Sequence, residues 1–187
     1  AALYGSRSRL RDFLGKLDGN DGLTKILVSV LGDAEKVSAL QAVVETAKEG
    51  LVAAQSLEDV NERAEAVLTA FAEDGRSEGS DIHDMLTKGK MVLEDGQIPY
   101  ALELIAEFVE QVVIDNDLLS QSGDDINLGA LLTRRVSQKD KLMSRQLNYI
   151  LHHDDFQEIE ASWRGLHYLV MNTETNSRLK LKVLNVS

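Results

Sequence analysis

The apolar positions of this chain recur at steps of three and four residues along most of its length, the period of helices with one buried face. Leu3, Leu10, Phe13, Leu14 and Leu17 share a face over residues 2–17. Leu17-Asp18-Gly19-Asn20-Asp21-Gly22 then reads as a turn, because glycine and asparagine tolerate left-handed backbone. Leu23, Ile26, Leu27, Val30 and Leu31 predict a second short helix that breaks at Gly32. Asp33 is placed to cap a third, in which Val37, Leu40, Val43, Val44, Ala47 and Leu51 face inward. Ser56-Leu57-Glu58-Asp59 has capping-box spacing and predicts a fourth helix with Val60, Ala64, Val67, Leu68 and Phe71 inward.

The texture changes at DGRSEGS, residues 74–80, where glycine, serine and charge dominate and nothing apolar anchors the chain. This stretch is read as a linker. Beyond it, Ser80 is placed to cap a short helix over 81–93 with Ile82, Met85, Leu86 and Leu93 as its apolar face. Glu94-Asp95-Gly96-Gln97 is a second break, and Pro99 suits the first turn of the next helix. There Ile98, Leu102, Ile105, Val109 and Val112 form a heptad stripe. Polar residues 115–127 predict a loop. Leu128, Leu132, Val136, Met143, Leu147 and Ile150 mark a long helix whose stripe Lys139 interrupts. A second heptad stripe follows in Phe156, Ile159, Trp163, Leu166 and Val170, which predicts a helix over 154–172 with Trp163 largely buried.

After a turn at Asn172–Ser177, Leu179, Leu181 and Val183 alternate with Lys180 and Lys182, the period of a half-exposed strand. The expectation is that Leu179–Val186 pairs with another strand, its lysines guarding the edge. The expected fold class is therefore mainly α: amphipathic helices with a terminal β-strand that begins an α/β domain or pairs with a partner. The chain opens on Ala1 and stops in LKLKVLNVS, so a fragment, or a chain completed by a partner, is expected.

Composition narrows the function. The chain has 31 acidic against 20 basic residues, a formal charge of −11, which argues against non-specific binding to nucleic acid or anionic membrane. No apolar run approaches the ~18–20 residues a membrane span needs. With no cysteine, disulfides, thiolate metal sites and cysteine nucleophiles are excluded, which fits a reducing cytosol. LHHDDFQEIEASWRGLHYLV, residues 151–170, gathers three histidines, but their spacing suits no metal. His152 and His153 are adjacent and diverge by about a hundred degrees on a helix, and His167 is far along it. Asp154 or Asp155 reads as a helix cap. Glu158 and Glu160 face different sides, and no GxSxG elbow or phosphate-cradling glycine loop occurs. The expectation is no enzyme, no catalytic residue, no metal and no cofactor; the acidic helix is read as a docking element.

QLNYILHHDDFQEIEASWRGLHYLVMNTET followed by RLKLKVLNVS closely resembles the large sheath subunit of bacterial type VI secretion systems, the TssC/VipB/ImpC family. The resemblance extends back through DIHDMLTKGKMVLEDGQIPYALELIAEFVEQVV and so covers residues about 81–187, as the N-terminal part of that subunit. LYGSRSRLRDFLGKLDGNDGLTKILVSVLGDAEKVSAL, residues about 3–40, resembles the C-terminal helices of the small sheath subunit, the TssB/VipA/ImpB family. The organisation this implies is a small-subunit-like helical segment at 1–73, with 41–73 unassigned, the linker 74–80, and a large-subunit-like segment at 81–187. Two partner sheath proteins are then joined in one chain, whether by natural fusion, by acquired extension or by engineering.

The resemblance implies a cytoplasmic bacterial structural subunit of a contractile sheath, assembling with small and large sheath subunits. It further implies a AAA+ unfoldase that takes hold of a helix matching residues 81–93, through Ile82, Met85, Leu86 and Leu93. The competing reading is a soluble adaptor that keeps sheath-type binding helices without forming tubes; a metal-dependent enzyme comes third.

Overall fold

A computed structural model describes residues 2–71, 76–113, 127–174 and 179–182. The helices over the first half follow the sequence pattern closely. Helix α1 spans Ala2–Leu17, α2 Asp21–Leu31, α3 Ala34–Gln55 and α4 Val60–Ala70. Gly19 takes a positive φ of 69° in the turn after α1, and the Asn20 side chain caps α2 by accepting from the Leu23 amide. Asp33 caps α3 as its position predicts, accepting from the amides of Glu35 and Lys36.

The start of α4 differs from the expectation. Its cap is Asp59, which accepts from the amides of Asn61 and Glu62 at 2.8 and 3.0 Å. Ser56 instead closes α3, its hydroxyl donating to the Ala53 carbonyl. A carboxylate next to the helix start satisfies two orphan amides and opposes the positive end of the dipole, so it displaces the serine three residues earlier.

Beyond 72–75, which lie outside the described residues, Ser80 caps α5, Asp81–Leu86, accepting from the His83 amide. This helix is shorter than the 81–93 predicted. At Gly89 a Cβ would lie 2.4 Å from the Met85 carbonyl oxygen, and Lys90 takes a φ of 50°. The chain therefore turns, sending Met91 into the core and leaving Leu93 outside, 83% exposed. A 3₁₀ turn, Asp95–Gln97, leads into α6, Ile98–Phe108, with Pro99 in its first turn, and a π-helical turn, Val109–Val113, continues it. Helix α7 spans Leu128–Leu151 and α8 spans Asp154–Met171. The predicted loop 115–127 lies outside the described residues except for Asn127.

The chain divides into two compact units, Ala1–Asp140 and Lys141–Ser187. The division does not fall at 74–80. Helices on both sides of that stretch share one core: α1 and α4 pack on α6, α3 packs on α4 and on the π-helical turn, and α2 and α3 pack on α5. A short polar connection such as 74–80 can join helices that share a single core.

At the centre of this unit lies α6. Every residue from Ala101 to Val109 is buried, so the helix is covered on all sides rather than along one stripe. Leu102, Ile105, Val109 and Val112 are buried as the heptad predicts, and Leu104, Ala106 and Phe108 on the other faces are buried too. Phe108 stacks on Phe13 of α1, ring centroids 4.7 Å apart.

The second unit contains the end of α7 and all of α8. No residue of α8 is buried. The expected terminal strand is corrected: among the described residues there is no β-strand, and 179–182 form neither helix nor strand. Val183 and the rest of the tail lie outside the described residues. Alternation over a few residues marks an amphipathic extended chain, but a strand exists only where a second strand completes its hydrogen bonds.

Candidate docking surfaces

The first surface is internal, where residues before 72 meet residues after 75. It is more polar than its surroundings suggest. Glu103 and Glu107 are each about 5% exposed in the middle of the apolar helix α6. Each is paired with an arginine from the first segment. Arg9 of α1 donates to Glu107 Oε2 from Nε at 2.9 Å, with Nη2 2.7 Å away, and the Ser6 hydroxyl donates to Glu107 Oε1. Arg63 of α4 donates to both Glu103 oxygens, at 2.7–3.0 Å. These bonds hold the Arg63 proton more firmly than usual. Lighter ties cross the same boundary. Lys48 lies 3.6 Å from Glu110 and Lys36 3.7 Å from Asp81, and the Asn20 amide donates to the Gly89 carbonyl at 2.8 Å.

Lys139, the interruption in the α7 stripe, is half-buried beside this cluster, in a cleft of about 330 Å³ whose lining includes Arg9, Lys48, Glu107 and Glu110. Burial lowers its pKa; the carboxylates of Glu107 and Glu110 act the other way, and Arg135 and Arg9 repel it. The carboxylates of Glu107 and Glu110 offset part of the cost of burying Lys139. Arg7 of α1 meets Asp140 at 2.6 Å.

Tyr100 of α6 donates its hydroxyl proton to Asp12 of α1. Partial burial, then the carboxylate of Asp12, pushes its pKa up to about 12. The folded state therefore holds this proton after the unfolded chain has lost it near pH 10. The contribution is complete below pH 10 and is lost as pH rises toward about 12. Chemical unfolding across this window is expected to show a falling stability that flattens in Tyr100→Phe; an unchanged slope in the variant would show that other groups carry it.

The second surface is α8. Phe156, Ile159, Trp163, Leu166 and Val170 do lie on one stripe, within about 80° of one another at 100° per residue. Yet Trp163 is 66% exposed, Ile159 58% and Val170 48%, while Phe156 and Leu166 are only half-buried. The expectation that Trp163 is buried is thus corrected for this chain. Leu147, Tyr149 and Ile150 at the end of α7 are exposed as well, so among the described residues most of the exposed large hydrophobic side chains fall after Lys141. A monomer rarely leaves so much apolar surface uncovered in one stretch without a partner for it. Among the polar residues, Glu160 pairs with Arg164 one turn on.

The remaining candidates are placed plainly. Ile82, Met85 and Leu86 are buried, at 2%, 0% and 5%, so the apolar face of α5 is part of the core and only Leu93 is outside. Leu179 is exposed and Leu181 half-buried. His153, not an aspartate, occupies the cap position of α8, with Asp154 and Asp155 in its first turn. His152 Nδ1 lies 2.8 Å from the Asn148 carbonyl. Among the described residues, no three His, Asp or Glu side chains are grouped to hold a metal ion, and no helix is long and apolar enough to cross a membrane.

Comparison with known proteins bears on α8 and the helix before it. Residues 133–187 match the VipB family, described as the EvpB/VC_A0108 tail sheath N-terminal domain. A stretch of 52 residues, 28% of this chain, is 54% identical to the type VI secretion system sheath protein TssC1 of Pseudomonas aeruginosa (strain PAO1). The chain spans about a tenth of that relative's length. No solved structure matches. The resemblance noted over 81–132 and 3–40 falls outside the matched residues. Sheath proteins of this family are structural and non-catalytic. The segment that carries the exposed stripe, residues 133–187, is therefore homologous to the N-terminal domain of the type VI tail sheath.

Proposed function

We propose that this chain is a structural subunit of a type VI contractile sheath, working in the bacterial cytoplasm, and that it unites a small-subunit-like segment with the opening helices of a large subunit. The observation that supports this most directly is the sheath-type segment 133–187 with its apolar stripe on α8 exposed. A stripe of that kind is a site for a partner, and the sheath subunits are the partners proposed. The shared core of α1–α4 with α5 and α6 supports the second half of the reading, because it makes one folding unit from the two segments with separate resemblances.

An AAA+ unfoldase is a further proposed partner. With Ile82, Met85 and Leu86 buried, its grip on α5 requires that this helix first leave the core. Docking through α5 is therefore proposed only for a state in which α2 and α3 no longer cover it.

The test is co-expression with small and large sheath subunits, followed by electron microscopy. Tubules that contain this chain are expected. A chain that binds the subunits but never enters tubules would favour the adaptor, and one that binds neither would sink the sheath reading.

A further inference from the structure

Two carboxylates, Glu103 and Glu107, are buried on α6. Apolar packing is tolerant: a helix of roughly the right volume and pattern can cover another in several registers. The core around α6 is made mostly of Leu, Ile, Val and Ala side chains, which by themselves discriminate weakly between covering helices. Glu103 and Glu107 do not share that tolerance. They are four residues apart, one turn, so they stand in a row along the helix. The row is met at one end by Arg63 of α4 and at the other by Arg9 of α1.

We infer that Glu103 and Glu107 are selectivity residues, through which α6 accepts as its covering helices only a segment that presents a guanidinium group opposite each of them. This rests on the proposed reading that the residues before and after 72–80 correspond to two kinds of sheath subunit. It adds the chemistry by which one recognises the other.

The reason is the asymmetry of buried charge. A buried ion pair adds little net stability over apolar residues of the same shape, but a buried charge without its partner is strongly destabilising. Such a pair therefore acts mainly by rejecting wrong partners. A slide of α1 by one turn keeps its apolar residues on apolar neighbours but carries Arg9 away from Glu107. A covering segment with an acidic or apolar residue at the position of Arg63 leaves Glu103 uncompensated. Arginine suits the role because its planar fork meets both oxygens of a carboxylate, as Arg63 does on Glu103. The two positions differ in surroundings. Glu107 also accepts from the Ser6 hydroxyl and lines the same cleft as Lys139, whereas Arg63 is the cation paired with Glu103.

The experiment is a set of charge reversals in the full chain, read by thermal unfolding. Arg63→Glu and Glu103→Arg are each expected to lower Tm by about 10 °C. The double reversal Arg63→Glu/Glu103→Arg should recover most of that loss. In a Glu103→Met background, Arg63→Glu should cost little, because the residue that rejects it is gone. At the other position the reversal Arg9→Glu/Glu107→Arg should recover less, since Lys139 opposes a cation there. Should a single reversal fail to fold, soluble folded protein from the double variant gives the same answer. The inference is overturned if the double reversal Arg63→Glu/Glu103→Arg is no more stable than the worse single. It is equally overturned if Arg63→Glu costs as much in the Glu103→Met background as in the parent chain. Either failure leaves the tubule experiment untouched, and absence of tubules leaves this cycle intact.

Discussion

Phe108→Ala is expected to destabilise the first unit by about 3–5 kcal/mol, the range for deleting a fully buried aromatic ring. Phe108 has no exposed surface and lies stacked against Phe13, at the end of the helix at the centre of the unit. Removing the ring loses its transfer free energy and opens a cavity against Phe13. Neighbours on α1 and α6 are pinned by the Arg9–Glu107 pair, which limits how far they can close in. Urea unfolding followed by circular dichroism should show the midpoint falling with little change in slope. Leu93→Ala, at a side chain 83% exposed, is the control and should stay within about 0.5 kcal/mol of the parent. Equal behaviour of the two variants would show that α6 is not the centre of the core.

Trp163→Asp should have the opposite profile: little effect on folding and loss of partner binding. The indole is two-thirds exposed, so a charge there meets water in the isolated chain and stability should change by no more than about 0.5 kcal/mol. Once a sheath partner covers α8, the same charge is buried without compensation, and large aromatic residues at such centres dominate binding. Capture of sheath subunits should fall at least about tenfold, equivalent to about 1.4 kcal/mol or more. Trp163 is the chain's only tryptophan, so its fluorescence reports the same event: emission should shift to the blue when the partner binds. A blue-shifted emission in the isolated chain, or unimpaired capture by the variant, would exclude α8 as the docking helix.

Much of the architecture is legible in the sequence. The three- and four-residue periodicity locates α1 to α4 and α6 to α8, because an amphipathic helix needs only its own spacing to declare itself. Local chemistry locates some boundaries as well: Asp33 and Ser80 cap where their positions imply, and Asn20, read as a turn residue, caps α2. Ser56 and Asp59 compete for one helix start, and the choice depends on which one lies beside the free amides. The burial of the polar members of α6 was not legible: Glu103 and Glu107, one turn apart, read in sequence as the solvent face of an amphipathic helix. Which residues pair with them was not legible either, since Arg9 and Arg63 are 98 and 40 positions away.

Sequence alone therefore determined the helical character, the principal caps, the apolar stripes and, through the residues after 133, the kinship with the tail sheath. Tertiary structure decided what each stripe is for. The faces of α5 and α8 look alike as patterns of apolar residues, yet Met85 is fully buried and Trp163 is two-thirds exposed. Periodicity records that a face avoids water but not what covers it, because the hydrophobic effect has no direction. The expected terminal strand fails on the same ground, since an alternating tail becomes a strand only where a second strand supplies its hydrogen bonds.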